Sequence, residues 1–226
     1  MSSFASPHRI RTALATHYGE PSRFRLPLGN KRDPLDELIY ILLTVQTQYG
    51  VDGVWDALKS RFPTWDHVLR AREESLRRVI APLGLSEQRA KRIRIVLRAI
   101  RDEMGTLSLR RLRRMSTADA EAFLTSLPGV GLKVARCVLM YTCGHDVLPV
   151  DAHVLRVSKR VGLLTEETSW PDAHESIHRA VRPEHRYSLH VNLVRLGRDL
   201  CGARVTQCHA CPLARMCMSA RLTSPT

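Results

Sequence analysis

Apolar residues recur along nearly the whole chain at a spacing near 3.6, and no run alternates as a strand would, so the pattern predicts an all-α protein. Asp33-Pro34 supplies a cap and a first-turn proline, and Leu35, Leu38, Ile39, Leu42 and Leu43 then share one face of a buried helix. Val51, Val54, Trp55 and Leu58 mark the next helix, which Phe62-Pro63-Thr64 stops. Short helices follow around 65–71 and 73–81. Ser86 is expected to cap a longer one, in which Ala90, Ile93, Val96, Leu97, Ile100 and Met104 share a face. Arg89, Lys91, Arg92, Arg94, Arg98 and Arg101 would cover its solvated side. The basic run at 110–114 precedes Ser116 and Thr117, either of which can cap the helix carrying Phe123, Leu124 and Leu127. Further helices are expected over 132–143, 151–163, 171–181 and 183–200, and the stretch 201–226 is polar, cysteine-bearing and loop-like.

Composition narrows the class. The chain has 226 residues, 44% hydrophobic and 25% charged, which is too apolar for a disordered tail and enough for one or two domains. The longest apolar runs, such as 38–45, fall far short of the roughly 18 to 20 residues that cross a bilayer. Nothing near Met1 has the apolar core of a secretory signal, so the expected setting is the reducing cytoplasm, nucleoid-associated if the source is bacterial. A monomer without membrane contact is expected there. Lys and Arg total 35 against 22 Asp and Glu, a net charge of +13 that attracts polyanions and makes nucleic acid the leading partner. Only five of these basic residues are lysines: Lys31, Lys59, Lys91, Lys133 and Lys159. Lysine, unlike arginine, can lose its proton and attack as an amine, so a lysine in a special loop is a candidate for chemistry.

Cysteines in a chain without a secretory signal read as metal ligands or buried apolar residues. Cys137 and Cys143 lie on an apolar helix, on different faces, and are expected in the core. Cys201, Cys208, Cys211 and Cys217 instead form C-x6-C-x2-C-x5-C, with little apolar sequence around them to bury thiols. Four thiolates so close together need a cation. A zinc site commonly uses two short-spaced couples and only one exists here, whereas a [4Fe-4S] cube takes one thiolate at each corner; spacing favours the cube and leaves zinc open.

Between two expected helices stands Leu127-Pro128-Gly129-Val130-Gly131-Leu132-Lys133, a turn whose glycines can take positive φ and whose N–H groups can face an anion such as a DNA phosphate. A simple glycine-capped turn between helices has the same sequence appearance. Asp151, ahead of Val154, is either a helix cap or a catalytic carboxylate.

Taken in order, Leu127–Ala135, the run Val150-Asp151-Ala152-His153-Val154-Leu155-Arg156-Val157 and the four-cysteine spacing resemble the helix-hairpin-helix DNA glycosylases of the endonuclease III type. That resemblance extends more weakly from about Asp33 to Cys217. It implies a two-lobed all-α fold: a six-helix barrel over 27–145, and a [4Fe-4S] domain from 1–26 and 146–226, with DNA across the cleft between them. It also implies a base-excision glycosylase and abasic-site lyase acting on damaged, oxidised pyrimidines in double-stranded DNA. A monofunctional glycosylase of the same superfamily, or a non-catalytic iron-sulfur protein that binds DNA or senses redox state, are the alternatives.

By the same resemblance Lys133 is the nucleophile and Asp151 the catalytic carboxylate. Gly129, Val130 and Gly131 hold phosphate, Gln46 fills the space of the flipped base and Leu85 is the wedge. His153 and Arg204 also meet DNA, and Cys201, Cys208, Cys211 and Cys217 hold the cluster. The chemistry suits these residues, because breaking an N-glycosidic bond needs a nucleophile at the sugar carbon and a negative charge beside the developing oxocarbenium ion. Three positions depart from the family pattern: Thr125 and Tyr49 stand where acidic residues are common, and Ala152 stands in place of threonine. These departures imply a narrowed substrate range or weakened turnover.

Overall fold

The computed structural model describes residues 6–23, 28–45 and 50–223. Its helices are α1 (Pro7–Tyr18), α2 (Pro34–Thr44), α3 (Asp52–Arg61), α4 (Trp65–Arg70), α5 (Glu73–Ile80), α6 (Ser86–Met104), α7 (Thr117–Ser126), α8 (Leu132–Val138), α9 (Ala152–Arg160), α10 (Trp170–Ala180), α11 (Pro183–Asp199) and α12 (Met218–Thr223). Among the described residues the sole strand-like pairing is an isolated bridge between Cys201 and Thr206. The protein is all-α, as the apolar spacing predicts. It divides into two compact units, Asn30–His145 and the flanking Met1–Gly29 with Asp146–Thr226.

In the Asn30–His145 unit, Asp33 caps α2 by accepting from the Leu35 N–H at 3.0 Å, and Pro34 opens the helix with no donor to lose. Leu35, Leu38, Ile39, Leu42 and Leu43 are all buried. Ser116 likewise caps α7, accepting from the Asp119 N–H at 3.1 Å. On α6 the expected apolar face is buried from Ala90 to Ile100, each large aliphatic there being worth about 1.5–3 kcal/mol relative to exposure.

Two readings of α6 need correction. Ser86 does not cap it; Leu85 occupies the cap position, in the left-handed region at φ 49°, ψ 32°, with no side-chain cap bond. Nor are all its arginines solvated. Arg94 donates to the carbonyl oxygens of Val68 (2.7 Å), Ala71 (2.8 Å) and Leu69 (3.1 Å), satisfying the open C-terminal end of α4, and Arg89 is buried. A guanidinium on a long stem can fold back onto carbonyls far away in sequence, which helical periodicity does not report.

The helix expected over 132–143 exists, but α8 passes at Leu139 into a single π turn that ends at Cys143. Cys137 is buried in the core, whereas Cys143 is half-buried.

In the other unit α1 and α9 both lie against α11, and Ile10, Leu14, Val154, Val157, Leu189, Leu193 and Leu196 form the core. Periodicity gave no signal for α1, because only Ile10 and Leu14 of its residues are buried. The C-terminal stretch expected to be loop carries a short helix, α12.

Candidate functional site

Helices α7 and α8 are joined by a tight turn in which the Val130 N–H donates to the Leu127 carbonyl at 3.0 Å. Gly129 takes φ +75°, a conformation a side chain disfavours, and a Cβ there would lie 3.2 Å from Arg92 Nε. Val130 is buried beneath the turn while Gly131, the cap of α8, faces out. Lys133 follows as the second residue of α8, half-buried. The two helices are held together by Arg136, whose Nε donates to Glu121 Oε1 at 2.8 Å and whose Nη2 donates to Oε2 at 3.3 Å. Thr125 turns its hydroxyl back to the Glu121 carbonyl at 2.7 Å, so at this position the side chain serves its own helix.

On the same unit, behind Lys133, Glu37 of α2 is fully buried and accepts from Asn30 Nδ2 (3.0 Å) and from the Lys31 N–H (2.5 Å). Burial pushes its carboxyl above the usual range, against these hydrogen bonds and the charges of Lys31 and Lys133.

Leu85 is the one non-glycine residue with positive φ among the described residues, and half of its surface is exposed. A strained leucine of this kind costs of order 1–3 kcal/mol and persists only where its surroundings over-determine it. It is therefore not a buried helix-end leucine. Gln46 and Tyr49 lie outside the described residues.

Asp151 belongs to the other unit and caps α9, its Oδ1 accepting from the Val154 N–H at 2.8 Å. The cap fixes the carboxylate at the positive end of the helix while engaging one of its two oxygens. Ala152 is exposed. His153 lies against Gly197, with its Nδ1 3.1 Å from Arg156 Nη2, so this ring is tied into its own unit.

Cys201, Cys208, Cys211 and Cys217 line one cavity of about 250 Å³, together with apolar Val157, Leu196 and Leu200, and with Arg204. Burial pushes the Cys211 thiol up, and the nearby Cys201, Cys217 and Cys208 push it the same way. Among the described residues no three His, Cys, Asp or Glu converge closely enough to hold a single ion. The cysteines surround a space several times the roughly 30 Å³ share of one water. Gly202 makes the first cysteine loop possible, because a Cβ there would meet the Val205 carbonyl oxygen at 2.5 Å.

Sequence reasoning missed the arginines that hold this loop. Arg160 donates to Cys201 Sγ at 3.2 Å, to the Gly202 carbonyl at 2.6 Å and to the Ala203 carbonyl at 3.2 Å. One turn earlier, Arg156 donates to the carbonyls of Cys201 (3.0 Å) and Gly197 (2.8 Å). Their i, i+4 spacing on α9 was the available signal.

A glycine hairpin between two helices with a lysine just past it, and downstream a capping aspartate and a four-cysteine cavity, define a class. The HhH-GPD superfamily model of base excision DNA repair proteins matches residues 40–183, and the chain belongs to that superfamily. Within it the protein is an endonuclease III-like helix-hairpin-helix glycosylase. Endonuclease III of Bacillus subtilis (strain 168) is 30% identical over 186 residues, 82% of this chain and 81% of that protein. A candidate DNA glycosylase of Arabidopsis thaliana is 32% identical over 165 residues, 73% of this chain but 56% of that protein, so the chain spans little more than half of that relative. A solved non-covalent endonuclease III–DNA complex matches with TM-score 0.81 at 25% identity, covering 96% of this chain and 98% of that one.

Proposed function

We propose that the protein removes damaged pyrimidines from duplex DNA and then cuts the resulting abasic site, with Lys133 as nucleophile and Asp151 as the stabilising carboxylate. One observation carries this reading: the other four lysines are engaged elsewhere. Lys31 lies 4.0 Å from the Tyr40 ring centroid and Lys59 donates to Asp36 at 3.1 Å. Lys91 is paired with Glu87 at 2.7 Å and Lys159 donates to the Glu166 carbonyl at 2.6 Å. Lys133 alone follows the glycine hairpin.

In this reading a DNA phosphate sits on the N–H groups of Gly129 and Gly131, the Val130 N–H being taken by the Leu127 carbonyl, and is drawn by a chain of net charge +13. The Lys133 amine attacks the sugar C1′, the C1′–N bond breaks, and its electron pair leaves with the base, which takes up a proton. Asp151 opposes the positive charge that grows on the sugar ring. The ring then opens to a Lys133 iminium, loss of a 2′ proton follows, and β-elimination expels the 3′ phosphate. Water returns the lysine as a free amine.

The four-cysteine cavity suits a [4Fe-4S] cluster, with Cys201, Cys208, Cys211 and Cys217 as its thiolates. When bound, the cluster supplies the cation charge those thiolates need and ties the C-terminal loop to α9 and α11. Arg204, on the loop between the first two cysteines, is exposed and available to a phosphate.

The test is Asp151→Asn on duplexes carrying dihydrouracil, since asparagine preserves the helix cap. Base release should slow by roughly two orders of magnitude with the melting temperature kept. Wild-type release by the variant would leave Asp151 as a helix cap alone.

A further inference from the structure

The Leu85 turn and the C-terminal end of α2 are far apart in sequence yet share one side chain. Arg89 is 7% exposed, and its Nε donates to the Gly84 carbonyl at 2.9 Å. Its Nη1 reaches the carbonyls of Leu43 (3.1 Å) and Leu42 (3.3 Å). The latter belong to the last turn of α2, whose carbonyls have no helical partner and which carries the negative end of the helix dipole. Among the described residues no carboxylate is bonded to this guanidinium; backbone oxygens take its Nε and Nη1, and its buried Nη2 has no hydrogen-bond partner there. The Arg89 N–H closes the first turn of α6 by donating to the Leu85 carbonyl at 3.0 Å. Leu85 is thus gripped on both sides through its backbone, while its side chain projects half-exposed. One turn further along α6, Arg92 lies against Gly129 of the hairpin.

We propose that Arg89 is the positioning residue of the wedge: its buried guanidinium locks the left-handed Leu85 turn onto the end of α2, so that Leu85 meets the duplex already ordered. This rests on the reading of Leu85 as the residue that enters the base stack. A side chain that had to be ordered while unstacking a base would add its own entropy cost to that of extrusion. A preset turn avoids that addition. Arg89 touches no reacting atom, so its loss should be felt where a stacked base must be extruded and not where the base is already gone.

The experiment compares Leu85→Ala, Arg89→Met, Arg89→Lys and Leu85→Ala/Arg89→Met on two substrates: a dihydrouracil duplex and the same duplex with a preformed abasic site. Fluorescence of a 2-aminopurine placed beside the lesion reads extrusion without needing turnover, and melting temperatures are taken on the same preparations. Arg89→Lys keeps the charge and the stem in the buried slot but cannot fork to three carbonyls, and it serves as the better-folded variant. The proposal expects Arg89→Met and Arg89→Lys to lower base release and the 2-aminopurine signal roughly three- to tenfold, with abasic-site cutting unchanged. It expects the double variant to be no worse than Leu85→Ala. Parallel losses on both substrates, tracking the melting temperature, would overturn it. If Leu85→Ala is selective for the stacked base and neither Arg89 variant is, the positioning role alone falls. If Leu85→Ala is not selective, the wedge reading falls first and the role of Arg89 with it.

Discussion

Gly197 of α11 lies directly beneath His153 of α9: a Cβ at 197 would stand 2.7 Å from the His153 Cβ and 3.0 Å from its Nδ1. A glycine inside a helix costs up to about 1 kcal/mol relative to alanine, and here it lets the helix that begins after Asp151 lie close on its neighbour.

Gly197→Ala should therefore destabilise the protein although it favours helix. Overpacking of this kind costs typically 1–3 kcal/mol, which outweighs the propensity gain. A thermal melt should show the midpoint lowered by a few degrees; an unchanged or raised midpoint would mean that α9 and α11 separate freely.

Glu37 gives a pH prediction. Burial holds its proton on above the ordinary value of 4.5, so the folded state binds that proton more tightly than the unfolded chain does. Stability attributable to Glu37 is then fully present below about pH 4.5 and is lost as pH rises through the folded-state value. In Glu37→Gln this dependence disappears, and Asn30 Oδ1, which has no hydrogen-bond partner among the described residues, can accept from the new amide if the Asn30 side chain turns over. The melting temperature of the variant relative to wild type should rise between pH 5 and pH 8. A difference that stays flat with pH would contradict the buried-proton account.

How much of this could be read from the chain depends on how local the determinants are. Asp33-Pro34 and Ser116 cap their helices as read, because a cap is decided within three residues. The hairpin with Lys133 is local too. Leu85 was identifiable only by resemblance, since its left-handed backbone is imposed by Arg89 from a helix whose arginines look solvated by period. Arg160 escaped for the same reason: its partners Cys201, Gly202 and Ala203 lie 41 to 43 residues on. The buried Glu37 sits among hydrophobic positions of α2 and is satisfied by Asn30 and Lys31, a loop pairing that no helical pattern encodes.

Arg136 and Glu121 should be coupled. Arg136 is nearly buried and Glu121 retains 19% of its side-chain exposure, so removing the arginine alone strands a carboxylate that is mostly out of water. Arg136→Met should lower the melting temperature more than the Glu121→Gln/Arg136→Met pair does. Additive losses across the double-mutant cycle would mean that the pair does not tie α7 to α8.

Protein purified without oxygen should be yellow-brown and carry about four iron and four sulfide per chain, as one four-thiolate cube requires. Cys208→Ser should bleach it and expose the 201–217 region to protease. Colourless protein with stoichiometric zinc would replace the cluster with a zinc site.

As the nucleophile, Lys133 must form a covalent bond to the sugar. Borohydride reduction during turnover on a dihydrouracil duplex, resolved on a denaturing gel and mapped by peptide mass, tests it directly. The expected result is a trapped protein–DNA adduct on Lys133 that disappears in Lys133→Gln while duplex binding persists through the hairpin backbone. Base release without any trapped adduct would make the enzyme monofunctional, and an adduct that survives in Lys133→Gln would assign the nucleophile to another amine.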